Sequence, residues 1–359
     1  MATSRAMTDI SPRLATAPKA IRPPESVAGR AVSLAIPPEF DLHACLESGQ
    51  AFRWYPEGGG YVGIVRGHAL RLWDSCANRE PGTRVVRRKL WAVHIGSAPG
   101  SGRGELSPED LKGLLWDYFS LGTDYGAIAG RLGGSDPVMR AAISVAPGLR
   151  ILRQEPWETL VSFVLSANNN IPRIKRMVET LAARFGPRVA GRDVRPGGHE
   201  PLREAPALCL HGFPEPAHLA RAGLSELQGC GLGFRARYIL EISRSVSGGE
   251  IDLDSIAGLE TPAAKDRLMS LPGVGPKIAD CVLLFSYGRT EAFPVDVWIK
   301  RAMEELYLGN TPTPSKRIVE YAARRFGVHA GHAQAYLYVY IRESARRSVP
   351  PKPGYKVHS

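Results

Sequence analysis

LPGVGPKIADCVLLFSYGRTEAFPVDVWIKR, residues 271–301, is the stretch of sequence that decides the fold. A helical pattern from 263 to 269 precedes its Pro-Gly-Val-Gly turn, and an apolar helical pattern from 276 to 285 follows. Gly273 and Gly275 permit backbone angles that other residues avoid and let another chain approach closely. Pro276 suits a first helical position, and the free amide groups at that helix start suit a phosphate. The stretch predicts a helix–hairpin–helix, although such turns often only join two packed helices.

Two residues after the hairpin are candidates for chemistry. Lys277 stands in an apolar run four residues before Cys281, so the two share one helix face. A lysine in such a run either extends to water or is held in a site, where a desolvated amine becomes a usable nucleophile. Asp296 precedes a helical pattern that begins at Val297. It is either only an N-cap or also a carboxylate facing a cation-like transition state, and both roles are compatible.

The segment resembles the helix–hairpin–helix–Gly/Pro–Asp signature of base-excision DNA glycosylases, and closely resembles the 8-oxoguanine DNA glycosylase family. The resemblance implies that Lys277 displaces the damaged base and forms a Schiff base with the sugar. It implies that Asp296 stabilises the developing oxocarbenium charge and caps its helix, and that Cys281 lines the pocket for the flipped base. One departure is Trp298, where the family usually has a histidine near phosphate.

Two further motifs imply DNA contacts. Three asparagines at 168–170 follow an apolar helical run from 157 to 165, and on their own they indicate a helix end or turn. In the family, the residue matching Asn168 fills the gap left by the flipped base, and the one matching Arg173 contacts the estranged cytosine. GLGFRARY at 231–238 resembles another family element, in which Arg235 matches a second cytosine-reading arginine. Phe234 replaces the tyrosine that wedges the duplex, and its ring suffices for unstacking.

Two motifs imply recognition of the base. Gln334 and Tyr338 are four residues apart and share a helix face. The family uses a glutamine for the Watson–Crick edge and a phenylalanine to stack, so the Tyr338 hydroxyl needs a partner. Without the resemblance, Tyr336, Tyr338 and Tyr340 alternate like a strand face and Gln334 is an ordinary surface residue. The element SGQAFRW at 48–54 implies that the Gly49 carbonyl accepts from the N7 hydrogen of 8-oxoguanine.

Composition bounds the class of protein. The chain has 359 residues, a formal net charge of +11 and a pI near 9.6, which fit a polyanionic partner. Its cysteines are scattered and odd in number, which indicates free thiols rather than a disulfide scaffold or zinc site. These are Cys45, Cys76, Cys209, Cys230 and Cys281. None follows Cys281, so the C-terminal iron–sulfur cluster of some related glycosylases is excluded. No stretch has the apolar length of a membrane span.

The pattern of apolar runs predicts an α+β fold, with a small antiparallel β domain followed by a mainly α-helical domain. The resemblance implies that the helical part is a helix–hairpin–helix glycosylase domain. Short alternating runs at 31–36, 60–67 and 68–73 predict strands, and residues 74–106 are expected to form further sheet with a Gly/Ser-rich loop at 96–104. Helical patterns dominate from 108 onward, with N-caps at Ser107 and Asp136. We expect a flexible tail at 1–30, the β/α domain at 31–145, the helical domain at 146–345 with a surface insertion at 188–204, and a basic tail at 346–359.

The predicted function is that of a bifunctional DNA glycosylase and AP lyase acting on double-stranded DNA with 8-oxoguanine opposite cytosine. We expect a monomer that needs no cofactor. It would work in the cytoplasm and nucleoid of a bacterium, or in the nucleus or an organelle of a eukaryote. The backbone carbonyls of Met269, Leu271 and Val274 match positions where the family's hairpin holds a structural cation.

Three alternatives remain open at this stage. A glycosylase for alkylated bases shares the hairpin and the aspartate but usually lacks the lysine. A relative directed at adenine or thymine glycol normally carries iron–sulfur cysteines. A non-enzymatic protein that binds damaged DNA would tolerate Lys277→Gln.

Overall fold

The computed structural model describes residue 23 and residues 28–74, 88–98, 104–189 and 210–348. Nearly all of the predicted N-terminal tail lies outside the described residues. So do residues 99–103 of the Gly/Ser-rich loop, residues 190–204 of the predicted insertion and residues 349–359 of the predicted basic tail. Cys76 and Cys209 also lie outside, while Cys45, Cys230 and Cys281 are free buried thiols.

The N-terminal part folds around a five-stranded antiparallel sheet, as predicted. Its strands are β1 (Val32–Ala35), β2 (Trp54–Glu57), β3 (Gly60–Val65), β4 (His68–Asp74) and β5 (Lys89–Ser97). The strand order is β1-β5-β4-β3-β2. Trp54 on β2 pairs with Gly63 on β3, and a Cβ atom at position 63 would lie 2.4 Å from the indole ring. The smallest residue therefore stands where the largest ring covers the sheet.

A mainly helical part follows, as predicted. One helix, α1 (Leu42–Glu47), lies between β1 and β2. The later α-helices of the described residues are α2 (Pro108–Tyr118), α3 (Tyr125–Gly133), α4 (Pro137–Val145), α5 (Pro156–Leu165), α6 (Ile171–Phe185), α7 (Pro216–Arg221), α8 (Leu224–Gly229), α9 (Arg235–Ser247), α10 (Thr261–Met269), α11 (Pro276–Phe285), α12 (Val297–Leu306), α13 (Ser315–Phe326) and α14 (Ala330–Ser348).

Side-chain caps fix where several helices begin. Ser107 accepts from the Asp110 amide at the start of α2, and Asp136 accepts from the Val138 and Met139 amides at the start of α4. Both N-caps are confirmed. Asn170 caps α6 in the same way, because its side chain accepts from the Arg173 amide at 3.0 Å. The asparagine run thus ends one helix region and starts the next.

The tyrosine alternation near the C-terminus does not form a strand. Tyr336, Tyr338 and Tyr340 all lie on α14, so the strand interpretation is wrong. Tyr336 is fully buried while the other two are half-buried, which fits three residues spread around a helix. Helix α14 also continues through Arg346 to Ser348, where a basic tail was expected to begin.

The three largest apolar cores of the described residues each join several of these elements. One joins the sheet to α1 and α2, a second joins α5, α6, α9, α10 and α11, and a third joins α3, α4, α12, α13 and α14. Burial of these apolar side chains is the main force that holds the helices together. Within the described residues, no helix is long and apolar enough to cross a membrane.

Candidate active site

The hairpin between α10 and α11 has one strained position. Gly273 has φ +76°, and a Cβ atom there would lie 2.6 Å from the Tyr238 ring. Gly275 has an ordinary φ of −93° and is the N-cap of α11, with Pro276 in the first turn. Only Gly273 therefore needs glycine for both its conformation and its space.

A buried ion pair ties the two hairpin helices together. Lys265 on α10 places its Nζ 2.7 Å from Asp280 Oδ1 on α11. The Asp280 side chain is only 5% exposed and that of Lys265 is 25% exposed. Burial raises the pKa of the Asp280 carboxyl, and the hydrogen bond and charge of Lys265 oppose that rise. The pair fixes α11, and hence Lys277, relative to the hairpin.

Lys277 is held at one wall of a cavity. Its Nζ donates to Ser166 Oγ at 3.1 Å, and that hydroxyl donates in turn to the Phe163 carbonyl at 2.6 Å. The same amine lies 5.0 Å from the centroid of the Phe163 ring. Because the Ser166 hydroxyl donates its hydrogen to the Phe163 carbonyl, its oxygen lone pairs accept from the Lys277 amine. The lysine is therefore oriented by α5 as well as by its own helix.

Cys281 lies one turn beyond Lys277 and is buried. Burial raises the pKa of its thiol to about 12, and the positive charge of Lys277 only partly opposes this. The thiol is therefore protonated at neutral pH. This side chain supplies a compact apolar wall with a weak S–H donor rather than a nucleophile.

Asp296 occupies the N-cap of α12. Its Oδ1 accepts from the Ile299 amide at 2.8 Å, and the residue has extended backbone angles. The capping interpretation is confirmed. The half-buried carboxylate also lines the same cavity as Lys277. The helix start thus holds a negative charge in a fixed place opposite the amine.

The cavity has a volume of about 630 Å³, within the usual range for a small-molecule site. It brings together all the residues predicted for catalysis and base recognition. They are Gly49, Lys277, Cys281, Asp296, Gln334 and Tyr338. The first comes from the loop after α1, and the others come from α11, the start of α12, and α14. These six residues converge although the sequence separates the first from the last by 289 positions (338 − 49).

Gln334 and Tyr338 face the cavity from α14. Gln334 is only 7% exposed, and its Nε2 donates to the Pro294 carbonyl at 3.2 Å. The interpretation of Gln334 as an ordinary surface residue is therefore wrong. Tyr338 is half-buried, and burial raises the pKa of its hydroxyl. The two side chains stand on one helix face, as their spacing predicts.

Of the four side chains predicted to contact DNA, the structure exposes three and buries one. Asn168 is exposed with φ +48°, Arg173 is exposed, and Phe234 is 58% exposed. Arg235 is instead buried. Its Nε donates to the Ala167 carbonyl at 3.0 Å and its Nη2 to the Asn168 carbonyl at 3.2 Å. Arg235 therefore supports the loop that presents Asn168.

Two further positions qualify the sequence interpretation. Trp298 is half-buried and lines the cavity beside Asp296, so an indole stands where the family usually has a histidine. At the hairpin, the Leu271 carbonyl accepts from the Val274 amide at 3.2 Å, which leaves it a second lone pair. Across the parts of the chain that the structure describes, no cluster of His, Cys, Asp or Glu could hold a metal.

Sequence reasoning missed several residues that shape the cavity. No sequence pattern pointed to Ser166, yet its hydroxyl accepts a hydrogen bond from the Lys277 amine. Arg342 received no role, yet its Nη1 donates to the Ser48 carbonyl at 3.2 Å. Its four-residue spacing from Tyr338 was the available signal. No such signal in the sequence marked Ser166, because only the fold brings α5 next to α11.

Comparisons with known proteins agree with this geometry. The family described as "8-oxoguanine DNA glycosylase, N-terminal domain" matches residues 33–160, and the "HhH-GPD superfamily base excision DNA repair protein" family matches residues 161–326. An N-glycosylase/DNA lyase of Arabidopsis thaliana is 30% identical over 84% of this chain and 77% of its own length.

A protein of Methanothermobacter thermautotrophicus named "Probable N-glycosylase/DNA lyase" is 35% identical over 55% of this chain, and the match spans only 64% of that relative. The 8-oxoguanine glycosylase/lyase of Clostridium acetobutylicum, solved with double-stranded DNA containing cytosine opposite 8-oxoguanine, is 30% identical with a TM-score of 0.70. That likeness covers 86% of this chain and 93% of the other. The chain therefore belongs to the 8-oxoguanine DNA glycosylase family, within the helix–hairpin–helix superfamily of base-excision DNA repair proteins.

Proposed function

We propose that this protein is a bifunctional DNA glycosylase and AP lyase that removes 8-oxoguanine, preferably opposite cytosine, from duplex DNA. The observation that carries the proposal is the Lys277 amine, bound to Ser166 inside a cavity that also contains the Asp296 carboxylate. An alkylated-base glycosylase of this fold would not need that amine. A damage-binding protein would need neither group in the cavity.

Entry of the base requires that the nucleotide leave the stack. Phe234 is a largely exposed ring that inserts between base pairs, and Asn168 occupies the vacated space. The base then enters the cavity, where Gly49 accepts from its N7 hydrogen, Gln334 meets its Watson–Crick edge and Tyr338 stacks on it. These contacts, together with hydrogen bonds from the hairpin amides to phosphate, offset the free energy lost when the base leaves the stack.

The chemistry follows from the amine and the carboxylate. As the glycosidic bond breaks, the base leaves with its electron pair and the sugar gains positive charge, which Asp296 stabilises. The lone pair of Lys277 forms a bond to the anomeric carbon, and loss of the amine proton and ring opening give a Schiff base. Removal of a C2′ proton then expels the 3′ phosphate by β-elimination and nicks the strand.

Arg173 and Arg235 support the cytosine preference in different ways. Arg173 is exposed at the start of α6 and can donate directly to a base opposite the lesion. Arg235 donates to the Ala167 and Asn168 carbonyls, so its contact with a cytosine requires that these bonds be exchanged. A guanidinium suits this role because it presents several donors to the cytosine acceptors.

The hairpin also fits a structural cation. The carbonyls of Met269, Leu271 and Val274 are neutral oxygens of the kind that hard cations take, and Leu271 keeps a free lone pair. Such an ion would neutralise phosphate charge beside the hairpin. The amine and carboxylate perform the reaction themselves, so we expect base release and strand cleavage to persist in EDTA. Complete loss of both in chelator would contradict the scheme.

Borohydride trapping tests the proposal. The substrate is a duplex with 8-oxoguanine opposite each of the four bases, with undamaged guanine as control. We expect a covalent adduct on the lesion strand, most of it opposite cytosine, that is lost in Lys277→Gln while lesion binding persists. Free base without an adduct would indicate a monofunctional glycosylase. If neither the adduct nor the free base is formed, the protein only binds damaged DNA.

The same proposal sets the place of action and the assembly. The enzyme acts as a monomer in the compartment that holds the DNA, which is the nucleoid of a bacterium or the nucleus or a DNA-containing organelle of a eukaryote. Its high positive charge speeds the search along DNA and makes affinity depend on salt.

A further inference from the structure

Arg342 joins two walls of the base cavity. It stands on α14 and lines the cavity, and its Nη1 donates to the Ser48 carbonyl at 3.2 Å. Its guanidinium carbon lies 5.2 Å from the centroid of the Tyr338 ring. One half-buried cation therefore contacts both the loop that carries Gly49 and the ring assigned to stack on the base.

The Tyr338 hydroxyl needed a partner that the family's phenylalanine does not need. The Arg342 guanidinium lies over the Tyr338 ring, and its positive charge opposes the rise in the pKa of the hydroxyl that burial causes. The two residues are one helical turn apart, so the contact needs no adjustment of α14. Tyrosine and arginine thus form one unit on this wall of the cavity.

The Gly49 turn depends on outside contacts for its shape. Gly49 has φ +90°, and an added Cβ atom would lie 2.9 Å from Ile171 Cδ1 and 3.3 Å from Arg342 Nη1. Glycine has a broad choice of backbone angles, so its own chemistry does not fix the direction of its carbonyl. The bond from Arg342 to Ser48 fixes the peptide plane that enters the turn.

We propose that Arg342 is a positioning residue for lesion recognition, which aligns the Gly49 carbonyl with the Tyr338 ring across the bound base. The proposal rests on the function proposed above and assigns to Arg342 a part in choosing oxidised guanine. Arg342 touches neither the reacting sugar nor the amine. Its effect therefore reaches only substrates that place a base in the cavity.

That restriction gives a direct test. Arg342→Met keeps the aliphatic stem and removes the guanidinium. We expect its single-turnover rate on 8-oxoguanine opposite cytosine to fall about 10- to 100-fold, the scale for a misplaced recognition group. Cleavage of a duplex with a ready-made abasic site needs no base contact, and we expect that rate to stay within about twofold of the unsubstituted protein, as the amine remains in place.

Arg346→Met is the matched control, because Arg346 stands one turn further on α14, pairs with Glu343 and is 63% exposed. It should leave both rates unchanged. Arg342→Lys should recover part of the lesion rate, because an ammonium can still reach the Ser48 carbonyl.

The outcomes separate two failures. If the unsubstituted protein releases 8-oxoguanine and Arg342→Met releases it equally fast, the positioning role is wrong and the proposed function stands. Equal loss of lesion and abasic cleavage would also overturn the role, because it would show general damage to the fold. If the unsubstituted protein releases no 8-oxoguanine, the proposed function fails and the role of Arg342 fails with it.

Discussion

Ser166→Ala should slow the lysine chemistry on every substrate. The hydroxyl accepts from Lys277 Nζ at 3.1 Å while donating to the Phe163 carbonyl at 2.6 Å, so removing it frees the amine to rotate. A hydrogen bond to a charged group contributes about 1.5–3 kcal/mol. Each 1.4 kcal/mol is about tenfold in rate, so complete loss would slow Schiff-base formation by about 10- to 150-fold. Lys277 is half-buried, and water replaces part of the bond. We therefore expect about 10- to 30-fold.

The assay is borohydride trapping in single turnover, on one duplex with 8-oxoguanine and one with an abasic site. Both rates should fall together in Ser166→Ala, because both reactions use the same amine, while lesion affinity stays unchanged. Ser144→Ala is the matched control, since Ser144 on α4 makes the same kind of hydroxyl bond to the carbonyl three residues earlier, at 2.8 Å. Trapping by Ser166→Ala at the unsubstituted rate would refute this account of how the amine is oriented. So would a loss confined to the 8-oxoguanine duplex.

Three further predictions concern the same elements. Lys265→Met should lower stability by about 3 kcal/mol at neutral pH, the lower end for a broken buried pair because the lysine is partly exposed. The folded-state pKa of Asp280 is raised, so this deficit should shrink as pH falls and the carboxyl gains a proton, which denaturant titrations at several pH values would show. Asp296→Asn should keep the helix cap, with a stability change of a few tenths of a kcal/mol, yet slow excision by about 100-fold or more. Denaturant unfolding would measure the change in stability, and single-turnover assays would measure the change in excision rate. Excision at the unsubstituted rate would show that Asp296 takes no part in the chemistry. Gly273→Ala should cost about 1–2 kcal/mol for the left-handed angle alone and weaken lesion binding, because its Cβ meets the Tyr238 ring. Unchanged affinity in a binding titration would exclude that explanation.

The hairpin half of the site was predictable because its information is local. The turn, the helix limits 276–285, the position of Lys277 and the cap at Asp296 all follow from residues within thirty positions of one another. Turn chemistry, helix period and capping act over such distances. The antiparallel sheet followed likewise from alternating runs, although β2 had no separate prediction and β5 was expected only as further sheet within 74–106.

The other half depended on contacts that no local pattern encodes. Arg342 and Ser48 are 294 positions apart, and Lys277 and Ser166 are 111 apart. Gln334 looked like a surface residue because its neighbours on the chain are mixed, and only the packing of α14 buries it. The tyrosine alternation failed for a related reason. Period-two spacing over five residues is too short to exclude a helix that is buried on more than one side.

The segment 166–170 connects the nucleophile to the loop that is expected to contact DNA. Ser166 binds the Lys277 amine through its side chain, and Asn168 stands two residues later in a left-handed conformation at the rim. Arg235 donates to the carbonyls of Ala167 and Asn168, which are the two residues that follow Ser166. A left-handed asparagine is costly without such support. Only two peptide units therefore separate the residue expected to fill the duplex from the hydroxyl that orients the amine. If the Lys277 amine were oriented only by its own helix, its reactivity would not depend on whether a base had left the duplex.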